Sequence, residues 1–180
     1  GRVGLAAVCL GAARKLAGMT LERVSGRAAF GRNISEFGMV KDKVARMMAE
    51  TWAMESMVYL TTGIADAKVP DWSLESAMTK VFASEALSRI ATDALLLAGG
   101  AGVSQDEPWE RMLRDARVYQ ILQGTHETLR AYIALGGLQG PSRQISEVAR
   151  AMREPIKGFG LMYDFAMQRA RSALGRERVN

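Results

Sequence analysis

Residues 70–102 read PDWSLESAMTKVFASEALSRIATDALLLAGGAG, and this stretch decides the fold. Pro70 ends whatever precedes it and Asp71 is a good N-cap. Leu74, Ala77, Met78, Val81 and Phe82 then recur at helical intervals. The run stops at Ala98-Gly99-Gly100-Ala101-Gly102. Glycines in that place serve either as a helix C-cap or where backbone approaches a ligand, and the residues alone leave both open. The pattern is not GxGxxG, and it follows a helix rather than a strand, which argues against a βαβ dinucleotide fingerprint.

Working outward, residues 39–63 carry Val40, Val44, Met47, Met48, Met54, Met57 and Val58 and predict a second helix with a broad apolar face. Residues 2–29 predict another, with Val3, Leu5, Val8, Leu16, Leu21 and Val24 among many alanines. Its Gly4, Gly11 and Gly18 each cost roughly 1 kcal/mol relative to alanine, which makes sense if another backbone or a ligand comes close. On the other side lie an irregular stretch, 103–108, and a short basic segment, 109–119. Gln123-Gly124-Thr125 reads as a turn into a helix over 126–137. Thr125 is its N-cap and Glu127 sits in the first turn, where the helix dipole favours negative charge. Gly136-Gly137 and Gly140-Pro141 are expected to stop it. Residues 142–176 read as one or two helices broken near Pro155 and Gly158-Phe159-Gly160. The expectation is an all-α up-down four-helix bundle with extra C-terminal helices, divided into a bundle, 1–137, and a helical extension, 138–180.

The totals agree with an ordinary globular domain: 180 residues, 48% hydrophobic and 24% charged. Eleven methionines suit irregular core gaps. The one cysteine, Cys9, lies between Val8 and Leu10 and reads as a small buried side chain. One histidine, His126, cannot build a His-based metal site, so no metal is expected. The net charge of +5 is scattered among acids, unlike the dense patch of a nucleic-acid surface. No stretch approaches the roughly 18 to 20 apolar residues needed to span a bilayer, and residues 1–10, though apolar, read without a basic leader or a clear cleavage pattern. The chain begins as if inside a helix, which suggests a fragment, a processed piece or half of a split protein.

Three blocks, taken in order, carry a resemblance. They are Arg27-Ala28-Ala29-Phe30-Gly31, then Leu97 to Gly102, then Arg114-Asp115-Ala116-Arg117 followed by Leu122-Gln123-Gly124-Thr125-His126-Glu127-Thr128-Leu129-Arg130. They resemble the RxxFG, GGxG, RD and EGTxxILR blocks of the acyl-CoA dehydrogenase C-terminal domain, over about residues 1–137. The stretches 34–43, 54–57 and 81–86 resemble the branch that holds the very-long-chain enzymes and the related factor for respiratory complex I assembly.

The resemblance implies FAD as cofactor. Arg27 would reach its pyrophosphate across a dimer interface, and Phe30, Gly99, Gly100, Thr125 and Glu127 would lie beside it. Arg2, Gly124 and Arg130 would line the acyl-CoA site, and Arg114 with Asp115 would form a structural charge pair. It also implies a homo-oligomer or larger complex and a mitochondrial home, with a bacterial cytoplasm as the alternative. The family's general base is a glutamate directly before Gly-Thr, but here that residue is Gln123, an amide without useful basicity. Some members keep the base beside the arginine that Arg2 matches, and that place is Gly1. Leu96 and Val103 stand where the family often has glutamine and an aromatic. Two readings follow: a silent structural or assembly subunit, or part of an active dehydrogenase whose base lies elsewhere, for instance at Glu127.

Overall fold

The computed structural model describes residues 1–153 and 167, with side chains through residue 139 and at 167. Five α-helices run through them: α1 (Arg2–Gly26), α2 (Gly38–Asp66), α3 (Ser73–Ala98), α4 (Trp109–Ile121) and α5 (His126–Arg153). A hairpin of two short strands, β1 (Ala28–Ala29) and β2 (Arg32–Asn33), joins α1 to α2. The architecture is the all-α bundle that the periodicity predicts. Residues Gly1–Ile133 make one compact unit; from Ala134 the chain belongs to a second.

Helix α3 is the central element. Ala77, Lys80, Val81, Ala83, Ser84, Ala86, Leu87, Ile90, Ala91, Ala94 and Ala98 are all buried, so nearly the whole circumference is covered. Small side chains around the helix let α1, α2 and α4 pack close to it. The main core joins Leu5, Cys9, Leu10 and Leu16 of α1, Met47, Met54 and Val58 of α2, Leu87 and Ile90 of α3, and Trp109 of α4. A smaller cluster, Ala77, Val81 and Leu129 with Ile133, ties the start of α5 to α3. Burial pushes the Cys9 thiol up to about 12, so it behaves as a small apolar side chain. By length and composition alone, α1 and the 73–103 stretch are apolar enough to cross a membrane; in this fold both supply core residues of the bundle, and neither is a clear span, in line with the sequence expectation.

Several boundaries differ from expectation. Helix α1 stops at Gly26, not residue 29, because Phe30 (φ 54°) and Gly31 (φ 80°) turn the chain. Two successive left-handed residues match the twist of a two-residue hairpin loop. Gly4, Gly11 and Gly18 are exposed, and among the described residues nothing lies within 4 Å of where a Cβ would stand on any of them. Trp72, rather than Asp71, precedes α3, although the Asp71 carboxylate still accepts the Ser73 N–H at 3.0 Å. Arg114 pairs with Glu110 at 3.2 Å and not with Asp115, since neighbours four apart meet on a helix and adjacent residues do not. Met78 is exposed, off the buried face of α3.

Helix α5 runs through Gly136, Gly137, Gly140 and Pro141 to Arg153, where a stop was expected. Glycine makes a helix costlier without forbidding it. The breaks expected near Pro155 and Gly158, and the helices beyond, lie outside the described residues.

Gly102 is the tightest point of the turn after α3. A Cβ there would lie 2.4 Å from the Leu95 carbonyl oxygen. Gly102→Ala is therefore expected to cost about 1–3 kcal/mol through forced backbone movement, read from the urea midpoint. An unchanged midpoint would show that this turn yields freely.

Candidate functional site

The fold builds two clusters. The first joins the end of α1 to the end of α3. Arg27 is the residue after α1, with extended backbone, and its N–H donates to the Arg23 carbonyl at 3.2 Å. Its Nη1 donates to Ala98 O at 3.3 Å, and Nη2 of Arg23 donates to the same oxygen at 3.4 Å. Gly99 caps α3 with φ 68°, and a Cβ there would sit 2.8 Å from Arg27 Nη1. The glycine thus fills the capping role, one of the two that the sequence left open. It ends the helix, and it clears room for a guanidinium over the backbone. Gly100 follows in a 3₁₀ turn, Gly99–Val103. An open cavity of about 610 Å³ borders Glu22, Arg23, Gly26, Arg27, Glu107 and Trp109. Phe30, at the hairpin tip, is 96% exposed and meets Phe37 edge-on. Leu96 and Val103 are exposed beside the turn.

The second cluster surrounds the turn between α4 and α5. Gln123 (φ 59°) and Gly124 (φ 103°) are both left-handed. The Gln123 amide packs on the first residue of the chain: a Cβ on Gly1 would be 2.5 Å from its Oε1. The two positions proposed by resemblance for a base therefore stand side by side, and neither holds a carboxylate. Arg2 lies next to them, donating to Ser73 O at 3.5 Å with its guanidinium 5.6 Å from the Tyr132 ring centre.

Lys80 fixes this turn. Its side chain is fully buried, and Nζ donates to Gln120 O at 3.2 Å and Gly124 O at 2.8 Å. Burial, more than any neighbour, holds its ammonium below the usual lysine range. Thr125 caps α5 as expected, its Oγ1 accepting the Thr128 N–H at 3.5 Å. Glu127 is exposed, and its carboxylate is held below the usual range first by its own backbone N–H and then by the Thr125 hydroxyl. A carboxylate stabilised in its charged form is a poor base, which weighs against Glu127 in that role.

Arg130 is engaged by Glu85. Glu85 also meets His126 Nδ1 at 3.1 Å, while Ser84 Oγ lies 2.8 Å from Nε2. Burial foremost, and then the Lys80 charge, lowers the His126 pKa below 6.5. The unfolded chain therefore binds the extra proton first as pH falls. Stability is expected to drop on acidification through pH 6.5 and to level off below the folded pKa, with a slope of at most about 1.4 kcal/mol per pH unit for one proton. Urea midpoints between pH 7.5 and 5 check this. His126→Gln should flatten the slope, and an identical slope would assign it to other groups.

Among the residues that matter here, Lys80, Ser84, Glu85 and Arg23 were not singled out as site residues from the sequence. A lysine at a helical position between Ala77, Val81 and Ser84 was the one available signal.

Residues 1–138 match the acyl-CoA dehydrogenase C-terminal domain family. The chain belongs to that family, whose members are FAD-dependent flavoprotein oxidoreductases. It is 31% identical over 175 residues to the human very long-chain specific acyl-CoA dehydrogenase, mitochondrial, covering 97% of this chain and 27% of that protein. Butyryl-CoA dehydrogenase from Megasphaera elsdenii superposes with a TM-score of 0.74 at 30% identity, over 77% of this chain and 36% of that one. The structure of PigA with FAD and proline superposes with a TM-score of 0.72 at 27% identity, over 75% of this chain and 35% of that one. The chain thus spans roughly a quarter to a third of the length of these relatives.

Proposed function

We propose that this chain is a catalytically impaired acyl-CoA dehydrogenase-like domain, acting as a structural or assembly subunit of a larger complex. The reading rests on the Gln123 amide, at the position that the resemblance gives to the base, packed against Gly1, the other position so given. An amide can neither take nor hold the α-proton of an acyl thioester. Supporting this are the exposed Leu96 and Val103 beside the Gly99 turn, and the outward Val8, Met48, Trp52, Tyr59 and Leu60, which offer apolar surface to partners or further copies. The division into a family domain, 1–137, and an extension, 138–180, belongs to the same reading. So does a mitochondrial location, after the human relative, with a bacterial cytoplasm as the alternative because relatives also occur in bacteria.

FAD is the cofactor this reading allows. Arg23, Arg27 and Gly99 fit a diphosphate: two guanidiniums, a glycine that makes space, and a buried Arg23 Nε with no partner among the described residues. When bound, flavin would supply hydride acceptance. Phe30, Thr125 and Glu127 would flank it, and Arg2, Gly124 and Arg130 would face an acyl-CoA. That cradle favours the second reading, part of an active enzyme forming 2-enoyl-CoA.

The test uses the protein in its native assembly with fatty acyl-CoA and an electron-accepting dye. No turnover above a flavin-only blank is expected, and the chain should elute in a complex. Brisk acyl-CoA desaturation, or a monomer that retains no partner, would sink the structural reading.

A further inference from the structure

Arg23 and Arg27 are four residues apart at the end of α1, and both reach one oxygen, Ala98 O. That carbonyl engages one N–H of each guanidinium, and a guanidinium carries five. Neither arginine forms an ion pair among the described residues, although Glu22 and Glu107 border the same cavity. Among the described residues, Arg23 Nε is buried and has no hydrogen-bond partner. Buried donors are seldom left so, and each case calls for a reason. Gly99 leaves the space that a side chain would take from Arg27.

Two planar forks anchored on a shared backbone oxygen suit two linked phosphates, one fork to each, because guanidinium binds phosphate bidentately. The carboxylates of Glu22 and Glu107, which line the same cavity, weaken its hold on a free inorganic anion. A diphosphate whose ends are held elsewhere fits better. We propose that Arg23 is a second diphosphate-binding residue beside Arg27, so that the cavity between the end of α1 and the Gly99 turn holds a dinucleotide by both phosphates. This rests on the reading that Arg27 faces the flavin diphosphate.

The experiment takes the native assembly, stripped of flavin, and measures affinity for FAD and for riboflavin, which lacks phosphate, by flavin fluorescence. Arg23→Met is expected to weaken FAD roughly tenfold to a hundredfold, as loss of a charge-assisted contact does. Riboflavin affinity should stay unchanged, and Arg23→Lys should recover part of the loss. Arg27→Met should behave as Arg23→Met does. If Arg27→Met weakens FAD while Arg23→Met equals the parent, Arg23 merely caps helix ends and the proposal falls, with the flavin reading intact. If neither variant moves FAD affinity, or the parent holds FAD no better than riboflavin, both fall. Equal losses for FAD and riboflavin in Arg23→Met would mark damage to the fold and also overturn the assignment.

Discussion

Gln123→Glu in the assembled protein is expected to raise acyl-CoA-dependent dye reduction by about 10²- to 10⁴-fold, the usual contribution of a general base. The substitution keeps side-chain length and leaves the left-handed backbone at 123 as it is. It changes only whether the group can accept a proton. Gly1→Glu by itself should gain less, because its side chain must share the space of the Gln123 amide tip, 2.5 Å from its Cβ, and push that tip aside. Gly1→Glu combined with Gln123→Ala frees that space and should recover part of the rate. Steady-state turnover of the three variants beside the parent checks this. A parent as fast as Gln123→Glu would mean the proton already goes elsewhere, and the silent reading would be wrong.

Lys80→Ala is expected to lower stability by about 3–5 kcal/mol. Truncating a fully buried long side chain leaves a cavity, and Gln120 O and Gly124 O lose their donor. Lys80→Met keeps most of the volume and should cost less, about 1–3 kcal/mol, from the orphaned carbonyls. The difference between the two separates packing from hydrogen bonding. Stability should also rise with pH in the alkaline range below 10.5, since the folded lysine sheds its proton first. Lys80→Met should abolish that rise. Denaturant midpoints at pH 7 and 9.5 measure both effects, and a Lys80→Ala midpoint within experimental error of the parent would show that the turn needs no clamp.

The bundle was legible because apolar spacing is a local property. Leu74, Ala77 and Val81, or Met47, Met54 and Val58, mark a buried face before any partner helix is known. Thr125 was legible for the same reason, since its hydroxyl serves a donor three residues on. What failed locally was the end of α1, where Phe30 takes a left-handed turn that its residue type does not announce, and the end of α5, where glycine and proline were read as stops.

By itself the sequence determined the helical class, the missing carboxylate at 123 and the motif order that places the chain in its family. All three depend on which residues occur and at what spacing. Only the tertiary structure decided that Gly1 and Gln123 are neighbours, that Lys80 grips Gly124, and that Arg23 joins Arg27 on one carbonyl. Those contacts link residues 44 to 122 positions apart. They exist because helices packed around α3 bring their ends together, which no local pattern encodes.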